Sequence, residues 1–200
     1  MDNLIETQES ISQATVRKAV KCMKVCAAAA VLALSSQSCI KDRMPRGTDI
    51  SAGDPIPEFT VTMSDGSEIS FSDLYGSVSC IVFFHTGCPD CQKALPSIQR
   101  LYNTYAIPPE STDSGVKFLC ISREEDGASV AGYWEENGFT LPYSAQEDRT
   151  IYNLFATFTV PRIYLSDREG IIRAIYTDNP VPEYEELEQD VRALLGGNEL

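Results

Sequence analysis

The stretch IVFFHTGCPDCQKALP, residues 81–96, decides the fold. It closes an apolar run, 79–85, of the kind that marks a strand buried on both faces. Beyond it, Cys91, Leu95, Ile98, Leu101 or Tyr102, and Tyr105 recur at the spacing of one helix face. Between strand and helix lie Cys88 and Cys91, two residues apart. Cys88 falls just before the helix, where unpaired amide N–H groups and the positive end of the helix dipole favour a thiolate. The thiolate is the nucleophile of thiol chemistry, so Cys88 is the expected attacking group. Cys91, about one turn further on, is more buried and placed to displace a mixed disulfide. Pro89 suits the first helical turn, where its missing N–H has no partner to lose.

Other uses of two such cysteines fit less well. A structural zinc needs four ligands, but there is no second CxxC and the only histidine, His85, lies in the same loop. Haem attachment needs a histidine directly after the second cysteine, and Gln92 stands there. A purely structural disulfide stays open. No metal is therefore expected, and no cofactor beyond a redox-active Cys88–Cys91 disulfide. Seven cysteines in 200 residues are too few and too unevenly placed for a disulfide scaffold. Cys80 and Cys120 sit singly in apolar runs, where a thiol packs as a small hydrophobe.

Outward from the pair, FTVTM (59–63) and SEISF (67–71) alternate around an Asp65-Gly66 turn, which predicts a hairpin. GVKFLCIS (115–122) reads as a second buried strand, and 127–137 as a helix with Val130 and Trp134 inward. Residues 149–158 carry Ile151, Leu154 and Phe155 at helical spacing, which predicts a short helix. Residues 160–177 read strand, turn, strand, and Tyr184, Leu187, Val191 and Leu194 line a last helix stopped by Gly196-Gly197. The order implies an α/β fold with parallel central strands and an antiparallel last pair.

The N-terminus reads as an address. Arg17, Lys18, Lys21 and Lys24 precede an uncharged run over 25–34, then small residues, then Cys39. That is the layout of a secretory signal, and the run is shorter than the ~20 residues needed to span a bilayer. Cys39 after Ser36, Gln37 and Ser38 resembles the lipidated cysteine of bacterial lipoproteins, and a start at Met23 would give a compact signal. Residues 40–55, polar and rich in Gly and Pro, read as a tether. The formal charge of −13, without a basic patch, argues against a nucleic-acid partner.

The segment around the pair resembles the active-site region of the thioredoxin superfamily. The wider chain, roughly 52–195, is similar to its exported, membrane-tethered TlpA/ResA-type thiol–disulfide oxidoreductases. AGDPIPEFTV, the strand–CxxC–helix core, Pro96 within the helix, and FTVPRIYLSDREGIIRAIY carry the likeness. The resemblance implies a cis Pro161 facing the pair, with Val160 offering backbone groups to a substrate strand. Departures are Gly87 where an aromatic is usual, Arg162 where threonine is common, and apolar Val82 and Ala94 where relatives carry a buried acid. Proton transfer would then fall to water or another group. Asp90, between the thiols, opposes the thiolate and points to a reducing or isomerising centre. Peroxiredoxins need a threonine three residues before the reactive cysteine, and His85, read as a strand-end packing residue, stands there.

The expectation is a thioredoxin-like α/β fold: a central mixed sheet flanked by helices, with an N-terminal β-hairpin extension. Residues 1–39 would be a signal with a lipidation cysteine, 40–55 a tether, and 56–197 the domain. The activity would be thiol–disulfide exchange in the cell envelope, with Cys88 and Cys91 catalytic, Pro89 and Asp90 in the active-site loop, and Val160 and Pro161 shaping the substrate groove. Partners would be protein thiols or disulfides and an upstream reductant, with a lipid anchor facing the periplasm and a monomeric state. Two other readings stay open: a peroxide or small-thiol reductase on the same fold, and a non-catalytic envelope binding module.

Overall fold

The computed structural model describes residues 49–107 and 115–196. The expected signal with Cys39, residues 40–48 of the expected tether, and Gly197 lie outside the described residues.

Strand β3 (Val78–Phe84) is buried along its whole length and is the middle of the sheet. Strand β4 (Val116–Ser122) pairs with it in parallel, with Val82 opposite Cys120. Strand β6 (Arg162–Ser166) pairs antiparallel on its other side, with Val82 opposite Ile163. A two-residue strand, β5 (Tyr143–Ser144), and strand β7 (Ile172–Tyr176) complete a five-stranded sheet of order β5-β4-β3-β6-β7. Hairpin strands β1 (Thr60–Thr62) and β2 (Glu68–Ser70) form a separate two-stranded sheet turning at Gly66, whose φ of 85° suits glycine.

Parallel pairing needs a crossover, and the helices supply it. Helix α1 (Pro89–Tyr105) joins β3 to β4, and helix α2 (Gly127–Asn137) joins β4 to β5. Helix α2 begins at Asp126, whose side chain accepts from the Ser129 N–H, and ends at Gly138 with a φ of 66°. Helix α3 (Tyr184–Leu195) closes the fold, burying Tyr184, Leu187, Val191 and Leu194 as their spacing predicts.

All three helices share one face of the sheet. Phe84 and Phe118 lie on that face; the Trp134 ring of α2 meets Phe84 at 4.8 Å and the Tyr102 ring of α1 meets Phe118 at 5.4 Å. Tyr176, aligned with Val82 through Ile163, donates from its hydroxyl to Asp190 on α3. The opposite face is aromatic: Phe83 touches Tyr152, Phe155 and Tyr164, and Phe155 touches Phe59 ahead of the hairpin. Cys80 and Cys120 are fully buried free thiols in adjacent strands, and burial pushes the Cys80 thiol up to about 12.

Two expectations need correction. The helix read over 149–158 is only a 3-10 turn, Tyr152–Leu154. Tyr152, Phe155 and Ala156 turn into the core there while Leu154 stays 43% exposed, so the inward set is not the Ile151, Leu154 and Phe155 of the sequence reading. The tether read to residue 55 reaches the domain sooner. Ile50 donates to the Phe155 carbonyl, Gly53 to that of Ile172, and Pro55 bridges Ile171. A polar, aperiodic segment lacks any local sign of such contacts, because its partners are far along the chain.

Candidate active site

Strand β3 ends at Phe84, and the turn His85-Thr86-Gly87 carries the chain over to α1. Gly87 donates its N–H to His85 Nδ1 at 3.0 Å, and Cys88 donates its N–H to the His85 carbonyl at 3.0 Å. A Cβ at residue 87 would stand 3.3 Å from the His85 ring, so glycine in place of the family's aromatic belongs with this tight turn.

Cys88 is the N-cap of α1, Pro89 its first residue, and Cys91 lies one turn in. Cys88 is half-buried and Cys91 fully buried, both as free thiols. A hydrogen bond from Cys91 is the main cause that brings the Cys88 thiol down to about 6, with the backbone N–H groups of Cys91 and Asp90 adding to it against partial burial. Burial and the Cys88 charge push Cys91 the other way, far above the ordinary thiol value. Two chemically identical groups are thus split into a nucleophile and a proton-holding partner.

Asp90 acts in the expected direction, raising the Cys88 thiol, but it is the smallest of the causes. Its carboxylate accepts from Lys93 Nζ at 2.7 Å, which neutralises much of its field at the sulfur. Val82 and Ala94 are fully buried among apolar neighbours, so neither brings a carboxylate to the pair.

A carboxylate from elsewhere in the chain braces the loop ahead of the pair. Ladder pairing between β3 and β4 runs one step past Ser122, with Arg123 donating its N–H to the Phe84 carbonyl at 3.1 Å. That step carries Glu125 under the loop. Its carboxylate accepts from the Thr86 N–H at 2.9 Å and from the Thr86 hydroxyl, and lies 3.5 Å from His85 Nδ1. Arg123, itself buried, stacks over the Tyr152 ring and lowers the Cys91 thiol slightly. Neither residue carries a motif; in ISREED they read as ordinary charges after a strand.

Across from the pair, the Val160–Pro161 peptide is cis, and the Cys88 thiol donates to the Val160 carbonyl at 3.4 Å. Residues 88, 91, 160 and 161 therefore converge although β4, α2 and β5 separate them in the chain. Thr159 has a φ of 62°, an outlier for a β-branched residue, and its carbonyl accepts from the Tyr152 hydroxyl at 2.5 Å. Such geometry is retained where surrounding contacts hold it.

The pair's electrostatics predict a pH profile. Iodoacetamide labelling of Cys88 in the reduced protein should follow one titration centred near 6. At pH 5 a thiol of pKa 6 holds roughly 900 times more thiolate than one of pKa 9, while its weaker nucleophilicity costs about 20-fold, leaving about a 40-fold advantage over a free cysteine. At pH 7 the same arithmetic leaves only a few-fold, so the inflection carries the information. A rate that keeps climbing to pH 9 would contradict the thiol–thiol hydrogen bond.

Comparison with known proteins agrees with this architecture. The AhpC/TSA family profile matches residues 52–175, more than half of the chain. The thiol–disulfide oxidoreductase ResA of Geobacillus kaustophilus is 26% identical over 136 residues, covering 68% of this chain and 75% of that protein. A solution structure from Bacteroides thetaiotaomicron superposes with a TM-score of 0.67 at 25% identity, covering 75% of this chain and 93% of the other. A thioredoxin-family thiol:disulfide interchange protein from Chlorobium tepidum gives 0.61 at 21% identity, covering 74% of this chain and all of the other (100%). The fold that carries this strand, cysteine pair and helix is shared with thioredoxin-like proteins, and the chain belongs to the AhpC/TSA family.

Proposed function

We propose that the protein is a cell-envelope thiol–disulfide oxidoreductase that reduces or isomerises protein disulfides. The carrying observation is the opposite displacement of the two thiols, Cys88 down to about 6 and Cys91 far up. In the reductive direction the Cys88 thiolate attacks one sulfur of a substrate disulfide. A mixed disulfide forms, and the substrate's other sulfur leaves as a thiolate that takes up a proton. Cys91, losing its proton to a base or water, attacks Cys88 and releases the second substrate thiol. Two electrons pass to the substrate and the Cys88–Cys91 disulfide remains, for an upstream dithiol to reduce. No cofactor beyond that pair is needed. Val160 and Pro161 present the edge against which an extended substrate segment lies, the Val160 carbonyl already facing the sulfur.

A Cys88 value near 6 lies closer to thioredoxin's, about 7, than to the ~3.5 of the strong oxidant DsbA, which supports a reducing or isomerising role. Envelope location rests on the signal-like N-terminus, with Cys39 as the lipid attachment point and a monomeric domain carried outside the membrane. No helix among the described residues is long and apolar enough to cross a bilayer.

Trapping tests the reading. The wild type should reduce insulin disulfides with dithiothreitol as the electron source. Cys91→Ala, left without a resolving thiol, should accumulate a mixed disulfide with insulin that reductant dissolves. An inactive wild type together with an untrapped Cys91→Ala variant would sink the proposal and favour a binding module.

A further inference from the structure

We propose that Asp49 is a positioning residue for the Val160–Pro161 edge, so that the arm ahead of the hairpin is a working part of the substrate groove. The inference rests on the oxidoreductase reading above and extends it to a segment whose sequence reads as a tether.

The contacts run from the arm to the sulfur without a gap. Asp49 Oδ1 accepts from the Thr157 N–H at 2.8 Å and from the Thr157 hydroxyl at 2.6 Å. Its Oδ2 accepts from Arg162 Nη2 at 2.6 Å. The Arg162 guanidinium turns back and donates to the Phe158 carbonyl from Nη2 at 3.0 Å and from Nε at 3.3 Å. Arg149 Nη2 donates to the Thr157 carbonyl at 3.0 Å, and the Tyr152 hydroxyl holds that of Thr159. Three successive carbonyls are thus held from behind, and the next one, of Val160, faces the Cys88 thiol. Ile50, beside Asp49, adds a backbone bond to Phe155.

Arg162 explains why the arm is needed. It departs from the threonine expected after the proline, and its guanidinium would be a bare cation beside the groove without a carboxylate. Its side chain is only 14% exposed, so it cannot rely on water for that charge. Asp49 supplies the carboxylate and ties the same group to Thr157 on the far side of the loop. A carboxylate that bridges two residues through its two separate oxygens, one bond charge-assisted, sets direction as well as distance. Directed backbone matters where a substrate strand pairs with the loop, and matters less for sulfur attack itself, which depends on Cys88 and Cys91. The arm should therefore act on substrate binding more than on turnover.

The test uses the full chain and insulin. Asp49→Ala is expected to raise KM about tenfold with kcat changed less than about twofold, as for loss of a charge-assisted contact outside the chemical step. Asp49→Asn, which keeps an acceptor for Thr157 but loses the charge, should fall between, and Asp49→Glu should recover part of the loss. If Asp49→Ala melts below the assay temperature, Asp49→Asn decides. An unchanged KM, or a kcat that falls in step with melting temperature, overturns the proposal. Should the wild type itself be inactive, the oxidoreductase reading fails separately. Amide exchange at Phe158 and Val160 then decides: about tenfold faster in Asp49→Asn supports the strap, and equal rates overturn it.

Discussion

Replacing Cys88 with serine should lower insulin reduction by at least about a thousandfold while leaving the fold nearly as stable as before at pH 5. The asymmetry follows from what the sulfur does. A serine hydroxyl has almost the thiol's volume, and the half-buried position tolerates the swap. It lacks the anion, since no hydrogen bond from Cys91 can bring an alcohol to a pKa near 6. It also cannot form the mixed disulfide, so the electron pair has no route. Stability needs comparison at the right pH. A thiol whose folded value lies below its unfolded value adds stability that is fully present above about 9 and is lost as pH falls through about 6. Serine has no such linkage, so melts should match at pH 5 and the wild type should lead above pH 7. Residual insulin reduction above a few per cent would mean that another thiol attacks, and Cys91 would be the first suspect.

The second large effect concerns the scaffold. Phe83→Ala should destabilise the domain by about 3–5 kcal/mol, a large share of the roughly 5–15 kcal/mol that holds a typical domain together. Phe83 is fully buried, and its ring meets Phe155 at 4.8 Å, Tyr152 at 5.5 Å and Tyr164 at 6.2 Å. Three aromatic neighbours cannot all close on the space left by a methyl group, so the cavity term adds to the transfer term. A midpoint lower by about 10 °C should appear in thermal melts followed by circular dichroism. A loss below about 1 kcal/mol would show that the aromatic face is not packed as described. The same residue stands five before Cys88, so a surviving variant should also loosen the strand end that delivers the pair.

Much of this molecule can be read along its chain. The strand through residues 79–84, the helix after the pair and the closing helix each announce themselves by period, because their partners lie in one core and local spacing records that burial. The pair itself is visible because CxxC is local. What escapes is what one part of the chain does for another. Glu125 supports the Thr86 turn from the end of β4, and Asp49 holds Thr157 and Arg162 from the arm. Each looks like a solvated acid until the fold closes. Strand β5 is too short for two-residue alternation to register, and residues 149–158 mimic a helix because inward and outward side chains happen to fall at three- and four-residue intervals. The sign of Asp90's effect is legible from its place between the thiols, yet its strength depends on Lys93 folding across it.

The sealed thiols at positions 80 and 120 bear on how such a chain is made. Before collapse, nothing in the chemistry of an unfolded polypeptide separates these sulfurs from those at 88 and 91, and the four thiols of the described residues alone allow three complete pairings among themselves. Uniqueness arrives only with the core, when the two strand sulfurs disappear from solvent and one of the remaining two acquires its charge. In an oxidising compartment, maturation would be a race between collapse and bond formation. Collapse that seals positions 80 and 120 into the sheet takes both out of that race and leaves 88 and 91 to pair with each other.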